Sequence, residues 1–242
     1  MSALSGRLQR KLTPGLLYSQ TVFEQRLGPR VAAATRWLDL GCGHRVLPEW
    51  RGEAEAKLVA QARFVVGVDT DFPAIRRHRS IQHRCLANIS RLPFHDSSFD
   101  LVTANMVVEH LADPARQFAE IARVLMPGGI FLFHTPNVRS YVIAVARLLP
   151  DGIKRLLANV MEGRAADDVY PTHYRANGAA QIQTIARETG LTVAEIEFVT
   201  STPAFTVFPP FVIPELAWIR QLQRRAALAP YRHTIICALR RG

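Results

Sequence analysis

A short apolar run that breaks off in a glycine turn, followed later by a second run closed by an acid, leaves a chain few folds to adopt. Arg36–Leu40 (RWLDL) stops at Gly41-Cys42-Gly43, and Phe64–Val68 (FVVGV) stops at Asp69. Apolar runs of this length without polar alternation are buried on both faces, as the strands of a parallel sheet are. Helical spacing lies between and beyond them, over Glu53–Arg63 and Pro73–His83. Phe99–Ala104 (FDLVTA) reads as the next strand. Asp113–Leu125 reads as a helix, with Asp113 as N-cap and Pro114 in its first turn. Gly129–His134 (GIFLFH) is a strand launched by the Pro127-Gly128-Gly129 turn. A helix near Ala176–Thr189, a strand near Thr192–Val199 and a last strand at His233–Leu239 complete the pattern. Strand and helix in alternation specify a parallel sheet covered on both faces, an α/β chain.

The 242 residues suffice for one mid-sized domain with its own core. The longest greasy stretch, Phe205 to Ile219, is broken by Pro209, Pro210, Pro214 and Glu215, which disfavours a membrane span. No compact apolar run follows Arg7, Arg10 and Lys11, so no signal peptide is expected. Cys42, Cys85 and Cys237 are odd in number and widely spaced, against a disulfide framework or structural zinc and in favour of a reducing, cytoplasmic setting. The net charge of +10 is uneven. Residues 1–36 and 201–242 each contribute +5, and the body between them is neutral. Such ends suit a solvated surface, RNA, an anionic lipid surface or a phosphorylated substrate.

Ligands of doubly wound sheets sit beyond the carboxyl ends of the strands. Three such ends carry suitable chemistry. In Leu38-Asp39-Leu40-Gly41-Cys42-Gly43-His44-Arg45, the glycines let backbone approach a ligand, and Asp39 can accept hydrogen bonds from a cationic amine. Asp69, closing the second strand, can hold both hydroxyls of a ribose. Asn88 can meet an adenine edge while Ile89 packs on the ring face.

The segments LDLGCGHR, VVGVDTD, LANISRLPFHDSSFDLV, VVEHLADP and EIARVLMPGGIFLFHTPN together resemble the class I S-adenosylmethionine-dependent methyltransferases. Within that class they are similar to the type 11 group, which includes ubiquinone-biosynthesis O-methyltransferases. The resemblance is close over residues 20–140 and fades beyond. It implies a Rossmann-like three-layer sandwich whose seven-stranded sheet is mostly parallel, with the last strand antiparallel, and S-adenosyl-L-methionine as cofactor. It places Asp39, Gly41, Cys42 and Gly43 on the methionine half, Asp69 and Thr70 on the ribose, and Asn88 and Ile89 on the adenine. Asn105 and Met106 fall on the sulfonium side. Arg45 stands where relatives carry a third glycine, and either pairs with the cofactor's carboxylate or points to solvent. Relatives with a Glu-x-x-Glu-His motif bind magnesium; here Met106-Val107-Val108-Glu109-His110 lacks the first carboxylate, so no metal is expected.

The resemblance further implies methyl transfer, most simply O-methylation of a hydroxyl on a small molecule or on a lipid- or glycan-linked intermediate. A hydroxyl must lose its proton, for which histidine is the natural base. His134, ending the fifth strand, is the first candidate, with a rate expected to rise through the ordinary histidine range. His173 in Asp168-Val169-Tyr170-Pro171-Thr172-His173-Tyr174-Arg175 is the second. Cys42 reads as a small residue in a tight turn, and His78 and His83 as solvated. The chain reads as one domain, with a helical cap at 1–35, a lid at 138–175 containing a helix at Tyr141–Leu149 and the Lys154-Arg155 pair, and an apolar-basic insertion at 200–232. That insertion suits substrate roofing, a homodimer arm or peripheral membrane contact, and leaves monomer or homodimer open. RNA methylation is an alternative, disfavoured because no aromatic-basic interleaving appears. An accessory subunit that binds cofactor without catalysis is another.

Overall fold

The computed structural model describes residues 3–148, 171–205 and 209–242. Seven strands form one sheet: β1 (Arg36–Leu40), β2 (Phe64–Asp69), β3 (His83–Leu86), β4 (Phe99–Asn105), β5 (Leu125–Pro136), β6 (Leu191–Val199) and β7 (Thr234–Arg241). Their order is β3-β2-β1-β4-β5-β7-β6, with β7 antiparallel. The helices are α1 (Ala3–Leu12), α2 (Ser19–Leu27), α3 (Gly52–Gln61), α4 (Phe72–Arg77), α5 (Pro114–Val124), α6 (Tyr141–Leu148), α7 (Ala179–Glu188) and α8 (Val212–Arg224). None of the described helices is long and apolar enough to cross a membrane.

Two expectations need correction on this side of the sheet. The helix expected over Pro73–His83 ends at Arg77, and the chain re-enters the sheet as β3 at His83. His78 causes the break. Its Nδ1 accepts the backbone N–H groups of Ser80 (3.3 Å) and Ile81 (3.2 Å), so the ring is buried in the turn and not solvated. The second correction concerns β5, which starts at Leu125 and not at Gly129. Met126–Gly129 is carried inside the strand as an irregularity, the register against β4 shifting between Phe99 and Leu101.

Chain contacts divide the protein into two compact units. One comprises Phe23–Thr135, His173–Glu197 and Ile236–Gly242. Its core is aromatic. Phe118 of α5 meets Phe131 and Phe133 edge-on, with centroids 5.4 and 5.9 Å away, all three fully buried. Replacing Phe118 with alanine would cost about 3–5 kcal/mol. Asp113 caps α5 by accepting the Arg116 N–H, as its sequence position requires. The other unit comprises Met1–Val22, Pro136–Thr172 and Phe198–Ile235. There α8 buries Leu216, Ile219 and Leu222. Its Glu215 is buried too, accepting hydrogen bonds from Tyr141 Oη (2.6 Å) and the backbone of Ala204 and Phe205. Most of the expected lid, with Lys154 and Arg155, lies outside the described residues, as do Asp168, Val169 and Tyr170.

Candidate cofactor and catalytic site

The parallel register puts the carboxyl ends of β1, β2 and β4 side by side, Leu40 opposite Val68 and Ala104. The chain leaves β1 through two left-handed glycines, Gly41 (φ +62°) and Gly43 (φ +53°). A Cβ at Gly41 would collide with Val107 Cγ2, so the turn is closed to any side chain there. Cys42 points inward onto Gly67 of β2, where an added Cβ would lie 2.8 Å from its sulfur. Burial, with Asp39 and Asp69 nearby, pushes its thiol well above the ordinary range, and the residue packs as a small apolar group.

Asp69 organises the turn. One carboxylate oxygen accepts the Gly43 N–H at 2.8 Å and the other accepts the Asp71 N–H at 2.9 Å. The glycine loop and the end of β2 are thereby held by one half-buried acid, and Thr70 beside it is exposed. Asp39 is buried deeper. It accepts a 2.5 Å hydrogen bond from the Thr103 hydroxyl, which itself accepts from Trp37 Nε1 at 2.6 Å. Desolvation raises its carboxyl to about 7, against the Thr103 bond, with the charges of Glu55 and Asp69 adding to the rise. Such an acid lacks a cation, and an ammonium group would stabilise its charged form. A buried carboxylate, a turn open to close backbone approach and a second acid at the end of β2 fit the amine and ribose of an adenosyl amino acid. Asn88, further along, folds its side-chain oxygen onto the Ser90 N–H (2.8 Å) and remains exposed, with Ile89 half-buried beside it. Arg45 pairs with Glu49 at 3.4 Å, both partly or largely exposed.

A second cluster forms where β4 and β5 end together, Asn105 opposite His134. Met106, at φ +57°, turns the chain out of β4 and donates its backbone N–H to His134 O. His134 is buried, its ring stacked on Phe23 with centroids 5.8 Å apart. Its Nδ1 lies 3.0 Å from Asn105 Oδ1, an oxygen that can only accept. Nδ1 therefore donates, and Nε2 carries a lone pair with no hydrogen-bond partner among the described residues. Burial lowers its pKa to about 4, so the ring is neutral at physiological pH.

Glu109 is buried and engaged as a bracket. Thr135 Oγ1 donates to its carboxylate at 3.0 Å, Asn177 Nδ2 donates to Thr135 Oγ1 at 2.6 Å, and His173 N donates to Glu109 O at 2.8 Å. His173 is thus held by its backbone, with an exposed side chain. Among the described residues, no three His, Cys, Asp or Glu side chains gather as a metal site would require. Sequence reasoning missed Thr103, Phe23 and Asn177. Thr103 alone had a signal: once β1 and β4 are neighbours, it stands opposite Asp39.

Residues 38–133 match a family model described as a methyltransferase domain. A probable S-adenosylmethionine-dependent methyltransferase of Mycobacterium tuberculosis is 39% identical over 119 residues, covering 48% of this chain and 40% of that protein. A ubiquinone biosynthesis O-methyltransferase of Thiobacillus denitrificans is 28% identical over 188 residues, 73% of this chain and 72% of the relative. The chain spans about two fifths of the length of the mycobacterial relatives it matches. In fold it is similar to an S-adenosylmethionine-dependent methyltransferase from Mesorhizobium loti, with TM-score 0.56 and 19% identity over 91% of this chain and 96% of the other. The cyclase SpnF shares the fold as well, at TM-score 0.56 and 18% identity, covering 93% and 81%. The glycine turn and the buried Asp39 fall inside the matched segment, residues 38–133, which is similar to a methyltransferase domain, and the strand order agrees with the fold of the S-adenosylmethionine-dependent methyltransferases.

Proposed function

We propose that this chain transfers a methyl group from S-adenosylmethionine to a hydroxyl oxygen on a small molecule or a lipid- or glycan-linked intermediate. The observation that carries this reading is His134, a neutral imidazole oriented by Asn105 with an unpartnered Nε2 lone pair, on the strand next to Asn105-Met106. When bound, the cofactor supplies a methyl already activated on a sulfonium, open to in-line displacement. The protein has to align the acceptor, exclude water and accept a proton. In the proposed step the acceptor oxygen–carbon bond forms, the sulfur–carbon bond breaks, and the hydroxyl proton passes to His134 Nε2. Asn105 fixes the tautomer that leaves Nε2 free, and Phe23 fixes the ring plane.

His134→Ala should lower turnover about 10²–10⁴-fold while cofactor affinity holds. With a pKa near 4 the base is already unprotonated, so at saturating cofactor the His134-dependent rate is expected to be flat from pH 6 to 8. That replaces the rise through the ordinary histidine range expected from sequence. A folded His134→Ala protein with near-full turnover would remove the histidine from the reaction. A loss confined to His173→Ala would move the base to that exposed position.

One surface favours a lipid-linked acceptor. In the unit containing α8, Phe211, Ile213 and Trp218 are exposed, and Arg220, Arg224 and Arg225 follow on the same segment, also exposed. Exposed aromatics beside arginines suit peripheral contact with an anionic bilayer. Sedimentation with vesicles containing an anionic phospholipid tests this. Binding should weaken in Trp218→Ser and in high salt, and a chain that stays in the supernatant would refute membrane contact.

A further inference from the structure

We infer that the unit bearing the glycine turn has a second ligand site, reaching from the chain just after that turn to the amino end of β2, for a small molecule carrying a phosphate or diphosphate group. A cavity of about 1030 Å³ opens between α3, the start of β2 and the segment joining α4 to β3. α4 ends at Arg77, and the segment that follows it into β3 forms one side of the cavity. Phe64 and Val65 at the amino end of β2, and Gln82 and His83 leading into β3, belong to its wall, opposite the ends where Asp39 and Asp69 stand.

Four arginines line this space, Arg45 and the exposed Arg63, Arg77 and Arg79. Arg45 pairs with Glu49. The guanidinium groups of Arg63, Arg77 and Arg79 have no hydrogen-bond or ion-pair partner among the described residues. The one other acid of the wall, Glu55, is committed to the backbone N–H groups of Val46 (3.0 Å) and Leu47 (2.8 Å). Three cations that repel one another around a concave surface create a focused positive potential, which only an anion of more than one charge would neutralise. The planar fork of arginine matches phosphate oxygens in pairs. Beside the arginines the wall carries both apolar residues, Val59, Ala60, Phe64 and Val65, and polar ones, Ser80 and Gln82, which suit the body of such a ligand. The chemistry is a diphosphate joined to an apolar or planar group, as in a nucleoside diphosphate or an isoprenyl diphosphate.

Calorimetry on the full chain, with S-adenosylhomocysteine at saturation to fill the cofactor site, tests the assignment. The probes are inorganic pyrophosphate, ADP and farnesyl diphosphate. We expect one site per chain for pyrophosphate, and tighter binding of whichever of ADP or farnesyl diphosphate has the fitting body. The double variant Arg63→Gln/Arg79→Gln should weaken each by at least about tenfold while binding S-adenosylhomocysteine as the parent does, which also shows that it is folded. No binding of any probe at millimolar concentration overturns the proposal. So does affinity unchanged in the double variant, or binding seen only when S-adenosylhomocysteine is omitted. A single-stranded oligonucleotide that binds, and loses affinity in the variant, while the three small probes do not, would assign the arginines to nucleic acid instead.

Discussion

With Asp39 proposed to hold the cofactor's amine, cofactor binding becomes a titration. Its carboxyl is raised to about 7 by burial, so the unliganded protein is protonated there below neutrality. An ammonium group needs the ionised form, and below pH 7 each unit of acidity should cost about tenfold in affinity, about 1.4 kcal/mol. At pH 5 roughly 1% of the sites are ionised, so the dissociation constant should be about 100-fold weaker than at pH 8. The sign for stability is opposite. The unfolded chain ionises this acid near 3.8 and the folded chain near 7, so the unfolded state binds fewer protons in between. The contribution of Asp39 to the stability of the unliganded protein should therefore fall as pH rises from about 4 to 7, by up to about 4 kcal/mol. Asp39→Asn keeps the oxygen that accepts from Thr103 and removes the charge. It should bind S-adenosylhomocysteine weakly and without this pH slope, yet melt higher than the parent at pH 8 when unliganded. Calorimetry in buffers of different ionisation enthalpy should detect about one proton released per binding event at pH 6. His134 and His233, both lowered from 6.5 to about 4 by burial, act in the opposite sense over the same range, so the Asp39 contribution is read as the difference in pH dependence between the parent and Asp39→Asn. A variant with parental affinity and slope, or one that melts lower at pH 8, would refute the reasoning.

Asp69→Ala should weaken cofactor binding by roughly 1–3 kcal/mol in calorimetry, the scale for hydrogen bonds to a charged acceptor. It should also lower the melting temperature, because the Gly43 and Asp71 N–H groups lose their partner. Gly41→Ala should destabilise by more than the roughly 1–2 kcal/mol of a left-handed residue, since its Cβ meets Val107. In denaturant titrations Gly41→Ala/Val107→Ala should recover only the collision. Methyl transfer should survive dialysis against EDTA, because the Glu109 carboxylate is buried against Thr135; a loss restored by magnesium would show the opposite.

How much of this could be read in advance depended on whether local chemistry decided the outcome. Asp113 and Pro114 set the start of α5 themselves, and Gly41 and Asp69 sit where short-range pattern puts them. The α4–β3 segment misled because the Pro73–His83 pattern is helical until His78 takes two backbone N–H groups, a turn invisible in periodicity. β3 was missed because its residues are mostly exposed on an edge strand and lack an apolar run. β5 was clipped because Pro127-Gly128-Gly129 has the composition of a turn, whereas a parallel neighbour carried it as an irregular strand. At the site, residue types announced themselves when the chain ended a strand. The partners Thr103, Phe23 and Asn177 come from 64, 111 and 42 residues away and acquire meaning only through the tertiary fold.

The bracket of Glu109, Thr135 and Asn177 has a consequence for the length of the chain it spans. It fastens the point where the chain leaves the sheet-bearing unit to the point where it returns, at 2.6 Å between Asn177 and Thr135. Between those points lies the excursion Pro136–Thr172. With both ends pinned, doubling its length would add about 0.6 kcal/mol of closure entropy. Changes in the length of this excursion are therefore expected to leave the hydrogen bonds of the bracket, and the strand ends they hold, in place.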